Sequence, residues 1–554
     1  MGRASGPMSL SLGRRWRTRR ANSLKVEVVA DLSIEERTFG VGRDEVLKSL
    51  FWHAEELVGG AISELDFEQG SDRAVGNRDH RGGVDKNPGH RRFRFDCTHK
   101  PFQMLYVLDM PSPDCSNLLL LYQQALSVGT LEYFQKQANV VIRRGVYCAQ
   151  VVLWLLILQR LHAVGTLSAA VQLLLQGAAD PLLQNCQRVR KRKISARTGG
   201  YCQARQKLPA LLCRQVTREI TLKLRHLLGF DEKTRRSYLL DGSSLELEHG
   251  PELAKLYPPA RNQFGVSHWP VLKMVVLHDL ESGLAEVPQW GPMYGAHAVS
   301  EQELAVKAMD QLPAHSVLVG DRNFGVLWVA YEAQRRGLGV VIRLTDVRAR
   351  KLMGGPISCE GEYPVQWKAT RWDGGKHHSL PDQAAVSGRL IAVRLGRGRS
   401  KEWLYLFTTM SGSVEDVVAL YGRRWSIETD LRSLKRTVRL HHMAVKSQDL
   451  LEKELLMAVC AYNLVRAVMC LAAQRSKIDS RQLSFAMVLN VVDCAWPKLA
   501  TATSIEDFDR QFQRILTIAA QCTLPKRKTR RSYPRAIWRH EPGFPNRKAQ
   551  GGDN

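Results

Sequence analysis

"SYLLDGSSLEL", residues 237–247, decides how the rest of the chain is read. From about 116 to 229 the apolar residues recur at helical spacing. Here they run together and then alternate, which predicts a strand. The pattern returns in "VLKMVVLHDLESGLAEV" (271–287), a hairpin reading with turn residues at Asp279–Gly283, in "SVLVGD" (316–321) and in "LGVVIRLT" (338–345). Between them "SEQELAVKAMDQL" (300–312) and "VLWVAYEAQRRG" (326–337) carry the helical period. Two further strands are expected at "RLIAVRL" (389–395) and "EWLYLFTT" (402–409), with residues 346–388 irregular. Early strands followed by alternating helices predict an α/β fold, a mixed sheet flanked by helices.

On either side of this core the pattern is helical. Upstream stand "SNLLLLYQQALSVGTLEYFQKQANVVI", an apolar stretch at 147–161, "LSAAVQLLLQG" and "YCQARQKLPALLCRQVTREITLKLRHLL". "RVRKRKISAR" (188–197) places six Lys/Arg in ten residues, either a solvated face or a grip on phosphates. Downstream, Ser413 with Asp416 three residues on predicts a capped helix start, helices continue to about 520, and a basic tail, "PKRKTRRSYPRAIWRH" (525–540), follows. Residues 1–115 look different. "EQGSDRAVGNRDHRGGVDKNPGHRRFRFD" (68–96) reads as loop or disorder, and only "RDEVLKSLFWHAEELVGGAI" (43–62) suggests a helix. A poorly ordered extension is expected there.

A chain of 554 residues has room for two to four domains and a substantial core. Hydrophobic content of 44% and charged content of 24% are those of a soluble globular protein. The excess of 80 Lys+Arg over 54 Asp+Glu, a net +26, is not ordinary and points to a polyanion. Nucleic acid is the commonest one, and an anionic membrane surface is the rival. No stretch approaches the ~20 apolar residues of a spanning helix, so no membrane partner is expected; "VVLWLLIL" (151–158) stops at Gln159 and Arg160 and reads as a buried helix. Eleven scattered cysteines without a CxxC pair suggest neither zinc nor a disulfide framework. The basic N-terminus lacks the apolar core of a secretory signal, and a cytoplasmic location is expected.

Two aspartates interrupt the strands: Asp241 in "YLLDGSS" and Asp321 in "VLVGDRNFG". A carboxylate at the end of a buried strand is costly unless paired or bound to a metal; capping the next loop is the alternative reading. A third acid lies in "YGRRWSIETDLRSLK" (421–435). At about 100° per residue, Tyr421, Arg424, Glu428 and Lys435 share a wedge of roughly 60°. Leu420, Ile427, Leu431, Leu434 and Val438 form an apolar face beside it. A surface Arg424–Glu428 pair would explain part of this. Two strand aspartates with a helix glutamate also supply the hard oxygen ligands of two-metal phosphoryl chemistry. Arg424 and Lys435 could bind phosphate oxygens and Tyr421 could donate to one. Glu246, Glu248, Asp279 and Asp430 are weaker candidates, Asp430 lying away from the stripe.

The spacing Tyr421-x2-Arg424-x3-Glu428-x6-Lys435 matches the Y-R-E-K motif. With "ELLMAVCAYNLVRAVM" (454–469), "LLDGSSLEL", "GDRNFG" and "YCQARQKLP" (201–209), the chain from about 145 to 540 resembles the DDE transposases of bacterial insertion sequences, specifically insertion-sequence family four. The resemblance implies a ribonuclease-H-like fold with a β-rich insertion, about 346–410, in the 107 residues (428 − 321) between second Asp and Glu. A catalytic domain at 230–445 is then expected between a helical, candidate DNA-binding region at 116–229 and a helical region at 446–524, with the basic tail at 525–554.

The resemblance also implies an activity: cutting an element at its terminal inverted repeats and joining the 3′ ends to target DNA. Water attacks first and a liberated 3′ hydroxyl next. Asp241, Asp321 and Glu428 would be the catalytic metal ligands, holding two Mg²⁺ ions for which Mn²⁺ can substitute. Tyr421, Arg424, Lys435 and Arg322 of the D-R-x-F-G motif would contact DNA. Trp403, in a matching W-L-x-L context, would stack on a flipped base, or is a core aromatic. The implied partners are double-stranded DNA and a second copy in a homodimeric synapse, in the cytoplasm on bacterial DNA. Two other readings stand beside this one: an inactive transposase-derived DNA-binding regulator, and a two-metal nuclease or phosphatase on the same fold.

Overall fold

The computed structural model describes residues 118–525 apart from 141–144, 163–164, 192, 231–234, 263–264, 372, 374–379, 396–401, 442 and 501–504, together with two short strands upstream. Those strands, β1 (Lys25–Val28) and β2 (Phe93–Asp96), pair antiparallel with Val26 opposite Phe95, within residues 1–112, a unit of their own. The strand Phe93–Asp96 falls in the stretch whose composition predicts a loop; its alternation of Phe and Arg suits a strand. The helix expected at 43–62 and the basic tail beyond 525 lie outside the described residues.

The remainder is built on a nine-stranded sheet. Its strands are β3 (Ser237–Glu246), β4 (Pro259–Asn262), β5 (Gly265–Asp279), β6 (Gln289–Pro292), β7 (Val317–Gly320), β8 (Gly339–Leu344), β9 (Gly361–Lys368), β10 (Ala385–Leu395) and β11 (Glu402–Thr408). They lie in the order β4-β5-β3-β7-β8-β11-β10-β9, with β6 also on β5. β3, β7 and β8 run parallel, and β5, β11, β10 and β9 are each antiparallel to their neighbours. The β6-β5-β3-β7-β8 portion is the ribonuclease-H-like arrangement. The β-rich insertion continues this sheet edge-on from β8.

Two local expectations change. Residues 346–388 are not irregular throughout: Asp346–Met353 is a helix capped by Thr345, and β9 pairs with β10. The helix is too charged to show an apolar stripe, and β9 carries Pro364, which only an edge strand tolerates. In the hairpin, β5 is fifteen residues long, but its return is an isolated bridge at His278–Ala285 followed by β6.

Alternation along β3 and β7 separates two cores. Tyr238, Leu240 and Leu318 face helices Glu301–Met309 and Leu327–Arg335. Leu239, Val317 and Val319 face the other side, where the helix Gln448–Ser476 and the helices of 118–227 share one core with the sheet. Gln448–Ser476 is long and apolar enough to cross a membrane, against the expectation that no stretch is; 94% of its most apolar window is buried inside the fold. Its acids are paired, Asp449 with Lys453, Glu452 with Arg214 and Glu454 with two arginines. Arg160, at the end of the apolar helix Ala149–Leu161, and Arg205 converge on Glu454, the latter at 2.8 Å. Breaking a buried pair of this kind costs about 3–5 kcal/mol, so the network holds the upstream helices to the long one.

His278 makes the fold sensitive to acid. It is fully buried, its Nδ1 lies 3.3 Å from the Gly283 carbonyl and its Nε2 has no hydrogen-bond partner. Burial pushes its pKa down to about 4 despite the nearby Asp430 carboxylate. An unfolded histidine takes up its proton near pH 6.5. The contribution of this residue is therefore intact above pH 6.5 and is lost as pH falls toward 4, by about 3 kcal/mol in all. His278→Gln is expected to flatten that part of the stability–pH curve, measured by urea unfolding between pH 7 and 4; an unchanged slope would show that His278 is not responsible.

Candidate active site

Asp241 and Asp321 come together because of strand register. β3 and β7 pair in parallel with Leu240 opposite Gly320, so the next residue on each strand is one of the two aspartates. Asp241 shares the face of Leu239 and Asp321 that of Val319, the side covered by the helix Ser426–Arg432 and its buried Ile427 and Leu431. The loop after Asp321 is seated by Gly325, where a Cβ would lie 2.3 Å from the Arg343 carbonyl oxygen on β8. Within that loop the Asn323 amide N–H donates to Asp321 Oδ1 at 2.8 Å.

The third acid arrives on an irregular segment. Ser413 and Asp416 form the expected capping box on Val414–Gly422. The winding then tightens to a 3₁₀ turn at Arg423–Trp425, returns to α at Ser426–Arg432 and loosens to a π-helix at Ser433–Thr437. The single regular helix assumed for the wedge is thus replaced by three windings. Such π segments are frequent at functional sites. Arg424 stands between the acids: its Nη2 donates to Glu428 Oε1 at 3.2 Å and its Nη1 lies 3.9 Å from Asp241 Oδ2. Glu428 thus reaches Asp241 through a guanidinium.

Lys435 is turned onto the sheet. Its Nζ donates to Ser243 Oγ at 3.0 Å and to the Ser244 carbonyl at 2.8 Å, tying the π-helix to β3 just beyond Asp241. Burial, then Arg436, lowers its pKa. Tyr421 is half-buried beside Arg343 and Asp321, and burial raises the pKa of its phenol. Trp425, next to Arg424, is 62% exposed. Trp403 stacks on Tyr405 with ring centroids 5.7 Å apart, and Arg394 lies 4.5 Å over its ring. Together with Arg343, Thr345, Tyr405 and Arg322, the residue after Asp321, it lines a cleft of about 380 Å³. A second cleft of about 350 Å³, around Arg235, His315 and Thr409, lies at the opposite ends of β7 and β8, away from the aspartates.

The electrostatics follow from this crowding. Asp241 has its pKa pushed up to about 6, first by burial and then by Asp321 and Glu301, against the Gly242 N–H and Arg424. Among the described residues no three His, Cys, Asp or Glu side chains gather closely enough to hold a single ion. The donor chemistry of the adjacent aspartates still suits a hard cation: two carboxylates whose mutual repulsion a divalent ion would relieve. Glu428, held by Arg424, is the ligand that would have to close in.

Several groups at this site carry no obvious sequence signal. Arg343 is the penultimate residue of β8 in an apolar run, and Ser243 and Ser244 look like ordinary strand residues. Glu301 begins the helix Glu301–Met309 and accepts from Asn323 Nδ2. Of the weaker candidates, Asp279 is buried in a pair with Arg236, Asp430 is buried against Arg481, and Glu248 faces Lys446 at 3.6 Å.

Comparison with known proteins places the same region. Residues 232–464 match the family described as "Transposase DDE domain". The chain is also 26% identical over 258 residues to the transposase InsG for insertion sequence element IS4 of Escherichia coli (strain K12). That match covers 44% of this chain and spans 55%, about half, of the relative's length. Residues 232–464 contain the nine-stranded sheet, both aspartates and the segment bearing Glu428, and over them the chain is similar to transposase DDE domains.

Proposed function

We propose that the chain is a DNA transposase that cuts an insertion sequence at its terminal inverted repeats and joins the 3′ ends to target DNA. The observation that carries this reading is the placement of Asp241 and Asp321 side by side on parallel strands, with Glu428 on the covering helix. Asp241, Asp321 and Glu428 would hold Mg²⁺, two ions in the full site, with Mn²⁺ able to substitute. When bound, Mg²⁺ supplies the positive charge that activates an attacking oxygen and stabilises a leaving one.

The chain's own groups do the rest. Arg424 is held where it can pass from the carboxylates to a phosphate oxygen, and a guanidinium suits that contact. Tyr421 and Arg343 offer donors beside Asp321. Lys435 keeps the Glu428 helix on β3. Arg322 and Trp403 border the cleft next to the reacting phosphate, where a displaced base could stack on the indole in place of Arg394. Because one site processes one end, synapsis of two ends requires a homodimer on DNA, located with the bacterial chromosome in the cytoplasm.

The upstream helices offer a surface for the duplex backbone. Arg188, Arg190, Lys191, Lys193 and Arg197 are exposed, and none has an acidic partner among the described residues. Other exposed arginines do: Arg423 pairs with Glu281 at 2.6 Å and Arg350 with Asp346 at 2.8 Å. Val189 and Ile194 pack against the core, so the basic strap is anchored rather than loose and little ordering entropy opposes binding. Replacing Arg188, Arg190, Lys191 and Lys193 with Gln is expected to flatten the salt dependence of DNA binding. Each lost phosphate contact should remove up to about 0.9 of log–log slope. Salt titration on a DNA duplex checks this; an unchanged slope would return the strap to a solvated face, and binding to anionic vesicles instead of DNA would overturn the reading.

A further inference from the structure

We propose that Glu301 is a positioning residue of this site, which through Asn323 holds the Asp321 loop in register with Asp241. The inference rests on the catalytic reading of Asp321 given above. Three observations converge on it. First, Glu301 is placed by a well-determined helix start: Ser300 Oγ accepts from the Glu303 N–H at 3.1 Å, and Glu303 Oε2 accepts from the Ser300 N–H at 3.0 Å. A carboxylate in this first turn is also favoured by the helix dipole.

Second, Glu301 lies flat against β3. An added Cβ on Gly242 would fall 2.5 Å from Glu301 Cδ and Oε1, so a larger residue directly after Asp241 would push this carboxylate from its present place. Third, Glu301 is bonded to the Asp321 loop. Its Oε2 accepts from Asn323 Nδ2, and Gln302 Nε2 donates to the Asn323 carbonyl at 2.9 Å and to its Oδ1 at 3.1 Å. These two neighbours fix the Asn323 amide with its NH₂ toward Glu301. The Asn323 backbone N–H in turn holds Asp321 Oδ1 at 2.8 Å. A chain thus runs from the strand of one aspartate, through Glu301 and Asn323, to the carboxylate of the other.

Partners that orient a ligating carboxylate typically change metal affinity by about 10–100-fold when removed. Mn²⁺ binding to the full-length chain, followed by its paramagnetic resonance signal, is therefore the readout, alongside single-turnover DNA cleavage and thermal midpoints. Glu301→Ala and Asn323→Ala are each expected to weaken Mn²⁺ binding about tenfold or more with little change in midpoint. Glu301→Gln, which keeps an oxygen that can accept from Asn323, should bind Mn²⁺ like the parent. The double variant Glu301→Ala/Asn323→Ala should be no worse than either single one, because both cut the same link. Parental Mn²⁺ binding by Glu301→Ala would overturn the proposal. So would a Glu301→Gln as impaired as the alanine variant, or additive losses in the double variant. If instead Asp321→Asn bound Mn²⁺ like the parent, the catalytic reading beneath the proposal would be the one to fall.

Discussion

Asp321→Asn is expected to reduce Mg²⁺-dependent DNA cleavage by at least about a thousandfold, since metal-borne charge stabilisation of a phosphoryl transition state is worth several kcal/mol. Asp241→Asn and Glu428→Gln should do the same. The substitutions are close to isosteric, and none removes a buried ion pair of the kind that Glu454 makes with Arg160 and Arg205. Folding and DNA affinity should therefore survive, the affinity because it comes mainly from Lys and Arg contacts to phosphates. Cleavage rates under single-turnover conditions, with binding measured in parallel in the absence of divalent ions, separate the two effects. A variant that still cleaves would leave the mechanism without that residue.

Arg424→Ala is expected to carry the next largest loss, on the order of a hundredfold in rate. Arg424 is 14% exposed and reaches both Asp241 and Glu428, so its removal leaves two acids facing each other and takes away the guanidinium proposed to meet a phosphate. Arg424→Lys should not rescue it, because an ammonium cannot span two carboxylates as the planar guanidinium does. Lys435→Ala provides the contrast. Its Nζ is engaged by Ser243 and Ser244, so it should slow cleavage by loosening the Glu428 segment while leaving the salt slope of binding in place. A slope that dropped by one phosphate contact would instead show that Lys435 leaves the sheet and grips DNA. Rate and salt dependence measured on the same preparations decide between these outcomes.

The sheet was legible because strand periodicity survives where both faces are buried: the runs at 237–247, 316–321 and 338–345 became β3, β7 and β8. β9 escaped notice because its face alternates between half-buried and exposed, and it includes a proline. The two aspartates stood out as acids among apolar strand residues, and register placed them together. What a helical wheel could not supply was the shape of 421–437. An ideal 100° step does not hold across a 3₁₀ turn and a π-helix, so the wheel could not show that Lys435 reaches Ser243 and Ser244. Glu301 and Asn323 had no signal in the linear sequence either. One lies at a helix start and the other in a loop, where Glu and Asn are common for reasons of capping and turn geometry alone. The structure brings them to the aspartates: Glu301 lies close over Gly242 and accepts from Asn323, whose backbone N–H donates to Asp321.

The most direct test is a combined cleavage and joining assay on a duplex bearing candidate inverted repeats taken from the DNA on either side of the gene, with a second plasmid as target. The parent and Glu428→Gln would be run side by side in Mg²⁺ and in EDTA. For the parent in Mg²⁺ alone, 3′-hydroxyl ends at the repeat tips and their covalent joining to the target are expected. Cleavage in EDTA, equal products from Glu428→Gln, or nicking that never proceeds to joining would contradict it.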